Sequence, residues 1–187
     1  IPLPVSANAI EAVFLTHAHI DHSGMLPKLY KDGFRGKIYS TRETANLCDI
    51  MLRDSAHIQE SEAQWRSRKA ERAGEPAVAP TYTVADAEIA IRLLRPVKYQ
   101  ERIRVAEGIE LRMTDIGHLL GSAAIELWLT EGAEERKIVF SGDVGNTNQP
   151  LINDPQTIEE TDYLVIESTY GGRNHAATRG DAVQELA

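Results

Sequence analysis

Glu11-Ala12-Val13-Phe14-Leu15-Thr16-His17-Ala18-His19-Ile20-Asp21-His22 is the stretch that decides the fold. Glu11 to Thr16 reads as a strand, and it runs straight into six residues of which four can bind a cation. Alternate residues of an extended segment point the same way, so His17 and His19 can hold one cation together. Asp21 and His22 stand where the chain turns, and they can face a second cation beside the first. Neutral imidazoles and carboxylates are the usual ligands of zinc-like ions. Packing does not explain such a cluster, because several imidazoles buried without partners would cost several kcal/mol.

Two further candidates lie at expected strand ends. His118 stands in Asp115-Ile116-Gly117-His118-Leu119-Leu120-Gly121-Ser122, between two strands. Asp143 stands in Ser141-Gly142-Asp143, after a strand over Lys137 to Phe140. Alone, the first is an ordinary loop histidine and the second an ordinary turn. Beside the His17 cluster they become ligand candidates.

Working outward, Gly24 to Lys31 reads as a short helix ended by Asp32-Gly33. Lys37 to Tyr39 reads as a strand, and Ser40 with Glu43 fits a capping box that opens a helix. Leu47, Ile50, Met51 and Ile58 follow at helical spacing as its expected buried stripe. Gln59 to Arg72 is dense in charge around Trp65, a solvated helix face. Gly74 to Pro80 is a loop, and Thr83 with Asp86 opens a further helix with Ile89 and Leu93 inside. After Pro96 the pattern has period two: Ile103 and Val105, then Ile109, Leu111 and Met113, then Ile125, Leu127 and Leu129. Lys137 to Phe140 and Tyr163 to Ile166 are apolar runs suited to central strands. The order predicts a mixed α/β fold with an antiparallel meander in its second half.

Composition narrows the function. With 42% hydrophobic and 26% charged residues, 187 residues suffice for a buried core without disulfides. Apolar runs are too short for a membrane span, and no signal peptide opens the chain. The lone Cys48 points to a reducing compartment, the cytoplasm. The start Ile1-Pro2-Leu3-Pro4 carries no initiator Met, so the chain is expected to begin partway through a gene product. Twenty basic against 28 acidic residues, a net charge of −8, argue against a protein that coats nucleic acid. A basic groove for RNA is expected on other segments.

His17-x-His19-x-Asp21-His22, Gly117-His118 and Ser141-Gly142-Asp143, in that order, resemble the metallo-β-lactamase superfamily. Glu167-Ser168-Thr169-Tyr170-Gly171, with Arg173 and His175 beyond it, is similar to the β-CASP branch and most to its RNA-cleaving members. Those include bacterial and archaeal nucleases related to the endonuclease subunit of the mRNA cleavage and polyadenylation factor. The stretches around Asp54-Ser55-Ala56 and from Thr81 to Asp86 share that likeness.

The resemblance implies an αββα sandwich, incomplete at both ends. Residues 1–170 would be part of the metallo-β-lactamase domain and residues 171–187 the start of the β-CASP insertion. It implies two zinc ions: His17, His19 and His118 holding the first, Asp21 and His22 the second, and Asp143 bridging both. A hydroxide activated between the ions would be the nucleophile, with Asp21 and Glu167 in catalytic roles. Glu167 would orient a histidine lying later in the family's pattern, where a further ligand histidine and the general acid are also expected. His57 and His175 match no motif and are expected on the surface. The activity implied is RNA phosphodiester hydrolysis, and a homodimer is compatible with it. A small-molecule ester, thioester or lactam hydrolase shares the ligand core but lacks the Glu167 to Gly171 continuation. A silent scaffold would be expected to have lost ligands, and every ligand position within the covered region is filled here.

Overall fold

The computed structural model describes residues 3–169 and 171–172. Strand β1 (Ala12–Phe14) leads into the short helices α1 (Ile20–Ser23) and α2 (Leu26–Lys31), then into strand β2 (Lys37–Thr41). Helices α3 (Arg42–Arg72) and α4 (Val84–Arg92) follow and return the chain to β3 (Leu94–Val97). The three strands pair in parallel in the order β1-β2-β3, as helical crossovers require. Strands β4 (Ile103–Ala106), β5 (Ile109–Asp115), β6 (Ala123–Glu131) and β7 (Glu134–Phe140) then form an antiparallel meander. Strand β8 (Tyr163–Val165) adds to β7 in parallel at the edge.

Two apolar layers hold these elements together. Ile38 on β2 faces the helices with Phe34, Cys48, Leu52, Ala56, Tyr82 and Ala87. Its neighbour Tyr39 points the other way, into a layer with Val97, Leu111, Met113, Ile125 and Leu127. This is the period of two that a sheet buried on both faces needs. The mixed α/β fold with facing sheets is therefore as expected, in three layers: helices, first sheet, second sheet. The outer face of the second sheet carries Arg112, Glu126, Trp128 and Lys137, and no helix covers it among the described residues.

Several local expectations shift. The cap of α3 is Thr41, whose side chain accepts from the Thr44 amide, and not Ser40, because β2 runs on through Thr41. The buried stripe of α3 is Thr44, Cys48, Leu52, Ala56, Ala63 and Ala70, while Ile50 and Ile58 are exposed. Small residues on that stripe let the helix lie close to the sheet. Leu94–Val97 is a strand despite Pro96, and the turn at Asp21 and His22 is helical. Strand β8 is an edge strand whose Tyr163, Leu164 and Val165 are all exposed, not a central one. The Thr83–Asp86 capping box forms as read, and the Gln59 to Arg72 face is solvated, with Trp65 exposed. No helix among the described residues is long and apolar enough to cross a membrane. His57 is exposed; Arg173, His175 and most of the 171–187 segment lie outside the described residues.

Candidate metal centre

All three motifs meet at one end of the two sheets. After β1 the chain stays extended, with the Leu15 amide donating to the Tyr39 carbonyl. This delivers His17 into the interior at 1% exposure. The carbonyl of His19 then accepts from the amides of His22 and Ser23, starting α1 and turning Asp21 and His22 over the centre. Ser23 Oγ donates to the Ala18 carbonyl at 2.8 Å and closes this turn.

The His118 turn docks on the start of α3. Thr41 and Thr44 hydroxyls donate to the Gly121 carbonyl at 2.6 and 2.8 Å. Ser122 Oγ accepts from the amides of His118 and Leu119, at 3.0 and 3.2 Å. The Ala123 amide donates to the Thr16 carbonyl at 2.8 Å, tying β6 to the His17 segment. The Asp143 turn is fixed by the Ser141 amide, which donates to the Val165 carbonyl, and by the Glu167 amide, which donates to Ser141 Oγ. Each turn thus carries a hydroxyl that bonds locally. Sequence reasoning does not find these hydroxyls, because Ser23, Ser122 and Ser141 carry no ligating chemistry of their own.

His17 Nε2 and His118 Nε2 lie 3.1 and 3.2 Å from His19 Nδ1, and 3.7 and 3.6 Å from Asp143 Oδ2. These four donors lie within 4.8 Å of one another and could hold one metal ion. Tetrahedral ligands at about 2.0–2.1 Å from zinc would stand roughly 3.3 Å apart, so the set fits such a cation. The other Asp143 oxygen, Oδ1, is 3.3 Å from His22 Nε2, and Asp21 Oδ2 is 3.7 Å from the same nitrogen. All six expected ligands are therefore brought together, with Asp143 between the two groups. Glu167 lies beside them: its Oε1 accepts from the Val144 amide at 2.6 Å.

Burial holds the His17 imidazole down at about 4; nearby His22 adds to this, and Asp143 opposes it. Burial lowers His118 as well. Burial thus favours the neutral form of both rings, the form with a lone pair for a cation. The Val144 amide, joined by the Thr169 hydroxyl, holds Glu167 below the usual carboxylate range.

A family described as metallo-beta-lactamase superfamily domain matches residues 3–169, a span that holds every residue of this centre. The chain belongs to the metallo-β-lactamase superfamily. Divalent metal binding goes with that fold, and the clustered His and Asp side chains suit it. Ribonuclease TTHA0252 of Thermus thermophilus is 36% identical over 185 residues, covering 99% of this chain and 37% of the relative. Transcription termination factor FttA of Methanocaldococcus jannaschii is 29% identical, with 97% and 26% covered. An RNase J-like protein of the same archaeon is 32% identical, with 89% and 33% covered. The chain thus spans about a quarter to a third of these relatives' length. Two of these names, a ribonuclease and an RNase J-like protein, agree with the RNA-cleaving branch that Glu167 to Gly171 resembles.

Proposed function

We propose that this chain forms the metal centre of a zinc-dependent ribonuclease of the β-CASP branch, acting in RNA processing as part of a longer enzyme. The observation that carries it is the position of Asp143, which offers one oxygen to the His17, His19 and His118 set and the other to His22. In this reading His17, His19 and His118 hold one zinc, Asp21 and His22 hold a second, and Asp143 serves both. Bound ions would bring the pKa of water from about 15.7 toward about 7 and offset the phosphodiester's charge. The protein's part is to keep His17 and His118 neutral by burial, and to fix Asp143 through the Val144–Glu167 bond. Asp21, three-quarters exposed, stands on the open side where substrate would approach.

A net charge of −8 becomes about −4 with two divalent ions, still the wrong sign for holding a polyanion. The reading therefore places the main RNA grip in segments outside this chain, together with the general acid that the resemblance implies. The test combines metal analysis with cleavage of labelled RNA, both on the intact gene product. Two zinc ions per chain, and chelator-sensitive cleavage of RNA, are expected. A metal-free chain, or an intact protein that hydrolyses small esters and leaves RNA whole, would overturn the reading.

A further inference from the structure

Thr16 sits where the two halves of the centre meet. Its Oγ1 lies 3.1 Å from His17 Nδ1 and 3.4 Å from His22 Nδ1. The two rings are 4.0 Å apart between centroids, and each turns its Nε2 toward Asp143. Thr16 is held at its backbone and packed at its side chain. Its own carbonyl is held by the Ala123 amide, and the Gly142 backbone presses against it so closely that a Cβ there would stand 2.8 Å from Thr16 Cβ.

We infer that Thr16 is a positioning residue that locks both imidazoles, one from each half of the centre, in the tautomer that presents Nε2. The inference rests on the metal reading given above. An imidazole that gives its Nε2 lone pair to a cation must carry its proton on Nδ1. Two such protons face one hydroxyl oxygen, and that oxygen has two lone pairs. A single side chain thereby orients a ligand in each half, so both halves depend on it. Outer partners of ligand histidines are typically worth about 10–100-fold in metal affinity.

The experiment is zinc titration of the intact gene product and its Thr16→Val and Thr16→Ser variants, with cobalt absorption spectra as a second readout. Valine keeps the shape and loses the oxygen; serine keeps the oxygen. Thr16→Val should weaken both zinc sites about 10-fold or more and alter the cobalt spectrum, and Thr16→Ser should restore both. Nitrogen NMR of the zinc-loaded wild type should find Nδ1 protonated in His17 and in His22, which needs no variant to fold. Unchanged affinity in Thr16→Val, loss at one site only, or an Nε2-protonated ring would overturn the role of Thr16 and leave the metal centre standing. A wild-type chain that bound no zinc would overturn the metal reading itself.

Discussion

Glu167 Oε1 accepts a hydrogen bond from the Val144 amide at 2.6 Å, one residue past Asp143. The carboxylate thereby pins the turn that carries Asp143, whose two oxygens face the two groups of candidate ligands. This is a second role beside the one its resemblance implies, the orienting of a later histidine. The two can be separated. Glu167→Gln keeps an oxygen for the Val144 amide, so metal affinity should stay near wild type. Glu167→Ala frees the turn and should weaken metal binding about 10-fold. Competition titration with a zinc chelator checks both, and an alanine variant of wild-type affinity would refute the link.

Asp143→Asn replaces one carboxylate oxygen with an amide nitrogen that cannot ligate. Both groups of donors lose charge, and one loses its Asp143 atom outright. The effect should exceed the roughly 100-fold upper range for an outer partner. Elemental analysis after dialysis should find one ion or fewer per chain, and RNA cleavage by the intact protein should fall by the same factor or more. Two retained ions would show that Asp143 is not shared.

Gly142 adopts φ +59°, and a Cβ at this position would stand 2.8 Å from Thr16 Cβ. The left-handed conformation alone costs a side chain about 1–2 kcal/mol. The clash must add to it by moving either Asp143 or Thr16. Gly142→Ala should therefore lower stability by about 2 kcal/mol and weaken zinc binding together. Denaturant melts of the metal-free chain and zinc titrations measure the two effects separately. Loss of stability with intact affinity would mean that the turn yields without disturbing Asp143.

The clustering of the candidate ligands was legible because its signal is local: four side chains able to ligate in six residues, and two more at ends of alternating strands. What was not legible depends on residues far away in sequence. Thr41 caps α3 in place of Ser40 because its hydroxyl also reaches the Gly121 carbonyl, 80 residues on. Helical spacing alone fits Leu47, Ile50, Met51 and Ile58 as well as it fits Cys48, Leu52 and Ala56. Contact with the sheet selects the smaller set. The apolar run at Tyr163 suits a central strand, yet the pairing order leaves β8 at the edge. Glu126 was missed because a glutamate in an alternating strand reads as solvent-facing; its partners come from the strands on either side.

Glu126 carries the last prediction. It is fully buried on the outer face of the second sheet, where Arg112 donates to both carboxylate oxygens at 2.8 Å. Thr114 Oγ1 donates at 2.5 Å, and the Lys137 ammonium stands 2.7 Å away. Burial alone would raise its pKa; the bonds from Arg112, Lys137 and Thr114 outweigh burial and bring it from 4.5 to about 2. A carboxylate with a depressed folded-state pKa stabilises the fold fully above its unfolded value. That contribution is lost as pH falls through the folded one. The window is therefore pH 4.5 down to about 2, and the amount is about 3 kcal/mol. Glu126→Gln removes the charge and leaves Arg112 and Lys137 without their shared partner, so at pH 7 it should cost about 3 kcal/mol, as broken buried pairs do. The gap between wild type and variant should stay constant from pH 7 to 5 and shrink below 4.5, as Glu126 of the unfolded wild-type chain takes up its proton. Urea melts of both proteins at pH 7, 5, 4 and 3, without metal, cancel the protonation of the histidine cluster, which the two share. A gap at pH 3 as wide as at pH 7 would mean that the loss comes from packing and not from the Glu126 charge.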